Sequence, residues 1–398
     1  MKNDSVSAGT PSAPSSEGPG SGELIRFISV LVLFWSSLYI FLPVMAPIAD
    51  VRGASLALIG IIVSSYGFVQ LVLRIPLGIW SDRIGRRRPF ITYGFLAAIA
   101  GALGMGLIEN PVMMVLFRGF TGVTASMWIM LTVVFSGRFP ADQTARAMGI
   151  AVMVTNLSQL FATLVGGLLA DRFGWHAPFL AAAMLGAAGF VVSRGLSDVR
   201  VSKGPAPGLR ELIGIGRQRL LLTVSLLAAL LQAIPHMTIW GFTTVFAVEL
   251  GARGSELGML GFGAGIMMAV GAYSGGRFLV PRLGARVVVT IGFSLAATAA
   301  LAIPAVRNVY QLLALQMVLS LGTGVTLPTL MSLSIATVPP DRRATAMGFF
   351  QAIYSLGMFS GPLIAGGLAG GFGVPAVFIG VAAISGVGAV CAAVFVKR

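Results

Sequence analysis

The spacing of charged residues constrains this chain more than any other feature, because it leaves long windows without Asp, Glu, Lys or Arg. About 20 apolar residues cross a bilayer as a helix, and an ionised side chain at the bilayer centre costs at least about 2.5 kcal/mol. Eleven windows have a suitable length, at residues 27–49, 53–73, 89–108, 119–137, 147–170, 173–193, 220–248, 257–276, 287–306, 308–340 and 344–396. A Gly-rich turn at 370–375 divides the last window. The sequence therefore predicts twelve membrane-spanning helices, numbered spans 1 to 12 below.

Composition supports a protein that is embedded in a lipid bilayer. Hydrophobic residues make up 56% of the chain and charged residues only 10%, whereas a water-soluble domain has roughly a quarter of its residues charged. The windows are about twice as long as a strand of a membrane β-barrel and do not alternate between apolar and polar residues. The predicted fold class is therefore an all-α membrane protein.

The positions of Lys and Arg predict the orientation. With twelve spans both termini lie on one side, and that side collects 21 basic residues, whereas the opposite loops hold four. Cytoplasmic loops carry the excess of Lys and Arg, so we expect a multi-pass protein of the plasma membrane with both termini in the cytoplasm. The net charge of +14 is then a topology signal, and no nucleic-acid partner is expected because the charges are spread over short loops.

The chain contains an internal repeat with an offset of half its length. The segment around Asp142 recurs around Asp341, and Arg83-x-Gly85 recurs as Arg282-x-Gly284, in each case 199 residues later. Repeats of this kind build transporters with a path at the interface of the two halves. We expect residues 1–23 to form a disordered cytoplasmic tail, 24–194 a six-helix bundle, 195–219 a basic cytoplasmic linker and 220–398 a second six-helix bundle.

The residue inventory excludes several chemistries. One Cys and two His do not make an internal disulfide or a structural zinc site, and no phosphate loop of the Walker type is present. No nucleophile with a base, and no pair of carboxylates, can be assembled from residues in the middle of the spans. We therefore expect no enzyme activity, no cofactor and no metal. A separate expectation is that the protein acts as a monomer.

The loop between spans 2 and 3 contains the segment Gly78-Ile79-Trp80-Ser81-Asp82-Arg83-Ile84-Gly85-Arg86-Arg87-Arg88. This segment resembles the signature G-x-x-x-D-R-x-G-R-R of the major facilitator superfamily. The resemblance implies a secondary transporter that works by alternating access, in which the Asp belongs to the cytoplasmic closure between the halves. The expected gating residues are Gly78, Asp82, Arg83, Gly85, Arg86 and Arg87, with Arg138 as a cationic partner of Asp82. The alternative is a basic cluster that only sets the topology.

Span 11 carries small residues at four-residue spacing, Gly357-x-x-x-Gly361-Pro362-x-x-x-Gly366-Gly367. This pattern resembles the Gly-Pro signature of exporters in the superfamily, but that signature belongs to span 5 and stands here in span 11. The displacement weakens an inference of antiport. Close packing of helix backbones explains the glycines equally well.

Polar and aromatic side chains recur at helical spacing within several spans and predict a substrate path. A lipid-facing amide would lack a hydrogen-bond partner, so these side chains should face the interior. The candidate substrate-binding residues are Trp35, Tyr39, Asn156, Gln159, Gln232, His236, Trp240, Gln316, Gln351 and Tyr354. Ordinary hydrogen bonding between helices is the alternative for each of them.

Two arginines lie inside predicted spans, Arg74 in span 2 and Arg118 in span 4. Arg118-Gly119-Phe120-Thr121-Gly122 resembles the R-x-x-x-G signature of span 4 in proton-coupled exporters. Arg118 and Arg74 are therefore candidates for proton coupling or for anion binding, although Arg74 can also reach the cytoplasmic surface with its long side chain. The sequence shows no acidic residue in the middle of a span, which disfavours a strongly cationic cargo.

These observations predict a secondary transporter that exports small neutral or amphipathic organic molecules, with drugs and sugars as candidate cargo and protons as the coupling ion. The alternative is uptake or exchange of a small organic anion, whose carboxylate would pair with Arg118 or Arg74. A receptor or a membrane enzyme is the remaining class, and no loop is long enough to form a sensing domain.

Overall fold

The computed structural model describes residues 20–139, 143–197, 218–339 and 342–396. Its helices follow the charge-free windows, so the predicted all-α membrane fold is confirmed. The helices are Ser21–Tyr39 with Leu42–Val51 (span 1), Leu56–Ile84 (2), Arg88–Leu107 (3), Pro111–Ser126 with Trp128–Ser136 (4), Thr144–Phe173 (5), Ala177–Ser193 (6), Arg219–Met237 with Thr243–Glu249 (7), Gly254–Ser274 with Val280–Leu283 (8), Ala285–Ala302 (9), Val309–Ala336 (10), Arg343–Phe372 (11) and Val374–Phe395 (12).

Eleven of these spans are long and apolar enough to cross a membrane, counted within the described residues. Span 6 is shorter, with 17 residues, which is near the lower limit of about 17–25 residues for a crossing helix. Below, the terminus face is the face on which the described chain begins at Gly20 and ends at Val396, and the other is the opposite face.

Several spans are interrupted where the local sequence disfavours a continuous α-helix. Span 1 breaks after Tyr39, and Pro43, which has no backbone N–H, stands in the first turn of its second helix. Span 7 contains Pro235 and then a π-helical segment at Thr238–Phe242, which includes Trp240. Short π-helical segments frequently occur at functional sites. The π-helical segment therefore makes the middle of span 7 a candidate functional position.

Helices within each half pack through small residues, as expected where lipid provides no hydrophobic driving force between helices. A Cβ on Gly101 of span 3 would lie 2.7 Å from the carbonyl oxygen of Phe117 in span 4. In the second half, a Cβ on Gly292 of span 9 would lie 2.7 Å from the carbonyl oxygen of Gly322 in span 10. Spans 3 and 4 thus pack as spans 9 and 10 do, which matches the internal repeat.

Spans 1–6 meet spans 7–12 most closely toward the opposite face. A Cβ on Gly60 of span 2 would lie 2.4 Å from the carbonyl oxygen of Pro362 in span 11, and 2.7 Å from the Cα of Gly366. A Cβ on Gly167 of span 5 would lie 2.8 Å from the Cα of Gly258 in span 8. Only glycine fits at these contacts, so Pro362 and Gly366 of span 11 pack against the first half. Gly357 and Gly361 of the same pattern pack against Ala229 and Ala233 of span 7.

A hydrogen bond accompanies this contact at the end of span 5. The backbone N–H of Ser255, in the first turn of span 8, donates to the Asp171 carboxylate at 2.9 Å. A carboxylate at a helix N-terminus accepts from a backbone donor that has no partner within the helix and is favoured by the helix dipole. Asp171 therefore caps a helix of the other half at the opposite face.

Candidate functional site

An aromatic cluster lies where spans 1, 4 and 7 meet. The ring centroids of Tyr39 and Trp240 are 5.1 Å apart, those of Trp35 and Tyr39 5.8 Å, and those of Trp35 and Trp128 5.3 Å. All three pairs are edge-to-face, an arrangement that aromatic quadrupoles favour. The structure thus joins three of the predicted substrate-binding residues, and the Tyr39–Trp240 pair connects the two halves.

His236 and Gln232 precede Trp240 on span 7 by four and eight residues. The imidazole Nδ1 of His236 lies 2.8 Å from the backbone carbonyl oxygen of Gln232, one turn earlier, so Nδ1 carries the proton and donates. His236 is buried, and Gln232 is half-buried. The local bond fixes the orientation of the imidazole ring.

Gln316 forms a contact between helices. It is fully buried, and its side-chain oxygen accepts a hydrogen bond of 3.0 Å from the Thr243 hydroxyl of span 7. Its amide nitrogen lies 3.4 Å from the Ser320 hydroxyl. Both ends of the amide therefore have partners within the protein, which favours the helix–helix alternative for this residue.

Gln351 and Tyr354 lie on span 11 and are both half-buried. The Tyr354 ring stands edge-on to Phe350, with the centroids 5.7 Å apart. The backbone carbonyl of Gln351 accepts from the Ser355 hydroxyl at 2.8 Å. Tyr354 also packs against buried hydrophobic residues, whereas no described contact gives the Gln351 amide a specific role.

A cavity of about 250 Å³ lies between the halves, on the terminus-face side of the Gly167 contact. Span 5 contributes Asn156 and Gln159 to its wall, and span 7 contributes Trp240. The rest of the wall comes from spans 5, 8 and 10 and is mostly apolar, formed by Val152, Leu160, Gly261, Gly265, Met268, Ala269, Ala272, Gly324, Leu327, Pro328 and Met331. An apolar cavity with a few polar groups is typical of sites for small organic molecules.

Arg118 is buried in the middle of the first half, with 3% of its surface exposed. Its guanidinium carbon lies 4.3 Å from the ring centroid of Tyr66 in span 2, which is a cation–π contact. One terminal nitrogen donates to the Thr121 hydroxyl at 3.1 Å, whereas Nε has no hydrogen-bond partner in the described structure. Tyr39 also lies near the guanidinium.

Arg74 lies two turns after Tyr66 on span 2 and is half-buried. One terminal nitrogen donates to the side-chain oxygen of Gln70 at 2.8 Å. The Nε and the other terminal nitrogen are buried and have no partner among the described residues. These two nitrogens therefore do not reach water, which argues against the alternative that Arg74 extends to the cytoplasmic surface.

The predicted gating residues lie at the terminus-face end of spans 2 and 4. Span 2 ends at Gly85, whose φ of +69° is in the left-handed region that favours glycine. The Asp82 side chain lies outside the described part of the molecule, so its predicted pairing with Arg138 stays a prediction. In this structure the Nε of Arg138 donates to the Glu23 carboxylate at 2.7 Å.

Arg138 also donates to the backbone carbonyl oxygens of Val134, at 2.6 Å, and of Ser197. It thus joins spans 1 and 4 to the segment after span 6. Among the other gating candidates, Gly78 is helical and an added Cβ would meet no atom there, while Arg83 and Arg86 are exposed. Arg87 is half-buried and has a polar or ring contact.

Several residues in these contacts were not among the predicted site residues, and Tyr66 and Asp171 show why. Tyr66 precedes Gln70 and Arg74 at four-residue spacing, and this spacing is a signal that places the three side chains along one side of span 2. Asp171 carried no such signal, because its partner Ser255 is 84 residues away in the sequence.

A second cavity, of about 780 Å³, opens on the opposite face of the first half. Arg52 lies in its wall and donates to the backbone carbonyl oxygens of Met105, at 2.5 Å, and Gly106, at 2.9 Å. Burial lowers the pKa of Arg52, and the nearby Glu109 carboxylate opposes this shift. Because the guanidinium binds the carbonyls at the end of span 3, its described contacts are structural.

Sequence comparison places the whole helical region in one family. The profile of the Major Facilitator Superfamily matches residues 27–244 and 225–398. An uncharacterized MFS-type transporter of Methanocaldococcus jannaschii is 24% identical over 344 residues, which cover 83% of this chain and 87% of that protein. The class D tetracycline resistance protein of Salmonella ordonez is 26% identical over 315 residues, covering 77% and 78% of the two chains.

Solved structures show the same fold. A bacterial homologue of the human lysosomal transporter Spinster, in an inward-facing and unoccupied conformation, superposes with a TM-score of 0.77. The two sequences are 18% identical, and the alignment covers 95% of this chain and 98% of that one. At this level of identity the similarity concerns the fold alone.

Proposed function

The chain belongs to the Major Facilitator Superfamily and is a membrane transporter, not an enzyme; from this premise we propose that it exports small amphipathic organic molecules by alternating access, with protons as the coupling ion. The observation that carries the proposal is the cavity between the halves, in which polar Asn156 and Gln159 face an otherwise apolar wall that includes Trp240. Such a wall suits a molecule with an apolar body and few polar groups. A relative named as a tetracycline resistance protein supports export of this class of compound.

The arrangement of the halves supports alternating access. The backbone contacts of Gly60 and Gly167 and the Asp171 hydrogen bond lie toward the opposite face, whereas the cavity lies on their terminus-face side. The excess of basic residues on the terminus face supports a cytoplasmic position for both termini. We therefore propose that this conformation faces the cytoplasm and is closed to the outside.

The two halves are proposed as the moving bodies, residues 24–194 and 220–398, joined by the linker at 195–219. We propose that the motif around Asp82 closes the cytoplasmic side in the alternate conformation and that the transporter acts as a monomer. Arg138 bonds Glu23 in the present state, so a change of partner toward Asp82 is the proposed movement of the gate.

Purified protein in liposomes with an imposed pH gradient tests this proposal. We expect a gradient that is acid inside to drive accumulation of amphipathic dyes and of tetracycline, and collapse of the gradient by an ionophore to abolish it. Ala269→Trp should block transport because Ala269 lines the cavity. The matched control is Ala187→Trp on span 6, where the side chain is exposed and lines neither of the two described cavities.

The controls separate failure of the proposal from failure of the preparation. Both Trp variants should insert and elute as the wild type does. The proposal is wrong if the gradient drives no compound of the panel into liposomes, or if Ala269→Trp transports as well as Ala187→Trp.

A further inference from the structure

In spans 1, 2 and 4, every described buried side-chain atom that lacks a hydrogen-bond partner is a donor. The donors without a partner among the described residues are Trp35 Nε1, Gln70 Nε2, Arg74 Nε and Nη1, and Arg118 Nε. All of these are N–H groups. A buried donor without an acceptor is strongly unfavourable, and more so when it is charged. What these spans lack is therefore a molecule rich in acceptors.

The charge balance of the spans indicates that the missing acceptor is an anion. Arg118 and Arg74 lie within the spans, whereas every acidic side chain that the structure describes stands near a span end, namely Glu23, Asp50, Glu109, Asp171, Glu249 and Glu256. A charged group inside a membrane is costly and is usually paired or functional. The described part of the protein offers neither arginine a carboxylate partner.

The surroundings of Arg118 favour a carboxylate in particular. The Tyr66 ring lies against the guanidinium at 4.3 Å, and Thr121 occupies one terminal nitrogen, so the side chain is held in place while Nε stays available. A guanidinium is planar and presents paired donors that match the two oxygens of a carboxylate. Rigid placement of this group reduces the entropy lost on binding.

The aromatic residues between Arg118 and the cavity indicate the apolar part of the ligand. Tyr39 lies near the guanidinium, the Tyr39 and Trp240 ring centroids are 5.1 Å apart, and Trp240 lines the cavity between the halves. A molecule with its anionic end at Arg118 can therefore place an aromatic or aliphatic body against these rings and toward the cavity.

We propose that the cargo is an organic anion, a carboxylate attached to an aromatic or apolar body, and that Arg118 binds the carboxylate. Gln70 and Arg74, one and two turns along span 2 from Tyr66, provide a second set of donors between this site and the terminus face. This inference rests on the proposed function, since it specifies the polar group of the exported amphipathic molecule and keeps the direction of transport.

Three compounds with the same ring system test the charge preference: 1-naphthoate, 1-naphthamide and 1-naphthylmethylamine. Binding to the purified full-length protein is measured from the rise in melting temperature with ligand concentration. We expect 1-naphthoate to bind at least about tenfold more tightly than 1-naphthamide, a ratio that corresponds to loss of one charge-assisted interaction. The amine should bind most weakly, and sodium chloride at equal concentration should give no shift.

Variants then test whether Arg118 is responsible for the tighter binding of 1-naphthoate. Arg118→Gln should lose the preference for 1-naphthoate and still bind 1-naphthamide, and Arg118→Lys should keep part of the preference because the charge remains but the paired donors do not. The matched control is Arg52→Gln, which removes another partly buried arginine whose described partners are backbone carbonyls and the Met114 sulfur. This control should keep the tenfold preference.

The outcomes separate the inference from the proposed function. The inference is overturned if wild-type protein shows no shift with 1-naphthoate, binds the amide or the amine as tightly, or keeps its preference in Arg118→Gln. If Arg118→Gln does not fold, the wild-type comparison and Arg118→Lys decide. A carboxylate preference without gradient-driven accumulation would refute only export, and export of neutral dyes without that preference would refute only this inference.

Discussion

Replacing Asp171 by alanine should open the opposite face of the protein. In the structure the carboxylate of this residue, at the end of span 5, accepts the backbone N–H of Ser255 in the first turn of span 8 at 2.9 Å. The two spans belong to different halves. The bond therefore exists only while the halves are together at this face, and its loss disfavours that state alone.

The size of the effect follows from the type of bond. Removing a side chain that caps a helix N-terminus costs about 0.5–2 kcal/mol, a range that includes exposed caps such as this one. The interaction of the charge with the helix dipole, typically about 0.3–1 kcal/mol, is part of the same loss. A loss of about 0.5–2 kcal/mol changes the ratio of the two conformations about 2- to 30-fold.

The matched control is Glu256→Ala. The Glu256 carboxylate accepts the backbone N–H of Arg253 at 2.8 Å, at the N-terminus of the same helix but within one half. Both variants remove a carboxylate that accepts a backbone donor at the start of span 8. Only Asp171→Ala breaks a contact between the halves, so only this variant should shift the conformational ratio.

Spin labels on the two halves measure the shift. Glu109 and Tyr310 are both exposed near the opposite face, and cysteines at these positions can be labelled once Cys391, the only cysteine, is replaced by serine. We expect the ratio of the longer-distance to the shorter-distance population to rise about 2- to 30-fold in Asp171→Ala. An unchanged distance distribution, or an equal change in Glu256→Ala, would refute the reasoning.

Further predictions concern the gates and the orientation. Gly60→Val should prevent the close contact with Pro362, where an added Cβ would meet the carbonyl oxygen at 2.4 Å, and should favour the opened opposite face in the same distance measurement. Asp82→Asn should insert normally and make cytoplasmic cavity positions more accessible to thiol reagents, and unchanged accessibility with unchanged transport would contradict a gating role. A reporter fused after Arg398 should be active only in the cytoplasm, and external activity would contradict the predicted orientation.

The sequence was sufficient for the fold because membrane insertion is largely a local property. Whether a segment of about 20 residues is stable in lipid depends on the charges within it, so charge-free windows predicted the helices without knowledge of their packing. Arg118 and Arg74 could be singled out for the same reason, since a charge within an apolar window is conspicuous. The signature around Asp82 added the family, which the profile match confirms.

The predicted site was harder to resolve because spacing along one helix does not reveal which helix it faces. Gln316 and Trp240 both followed the polar and aromatic pattern of the spans. The structure gives Gln316 a hydrogen-bond partner in span 7, and it places Trp240 at the cavity wall against Tyr39. A hydrogen bond between helices and a position in the cavity wall both place a polar or aromatic side chain on an inward-facing side of a helix. The sequence pattern therefore does not distinguish the two roles.

By itself, the amino-acid sequence determined the twelve helices, the repeat and the arginines that lipid makes costly, since each depends on residues close together in the chain. Only the tertiary structure decided that Tyr66 lies against Arg118, that Asp171 caps span 8 and that glycines bring the halves together at one face. The physical reason is that these contacts depend on the rotation and the close approach of helices that are far apart in the sequence. The spacing of residues within one helix does not reveal which backbone atoms or buried donors of another helix lie beside it.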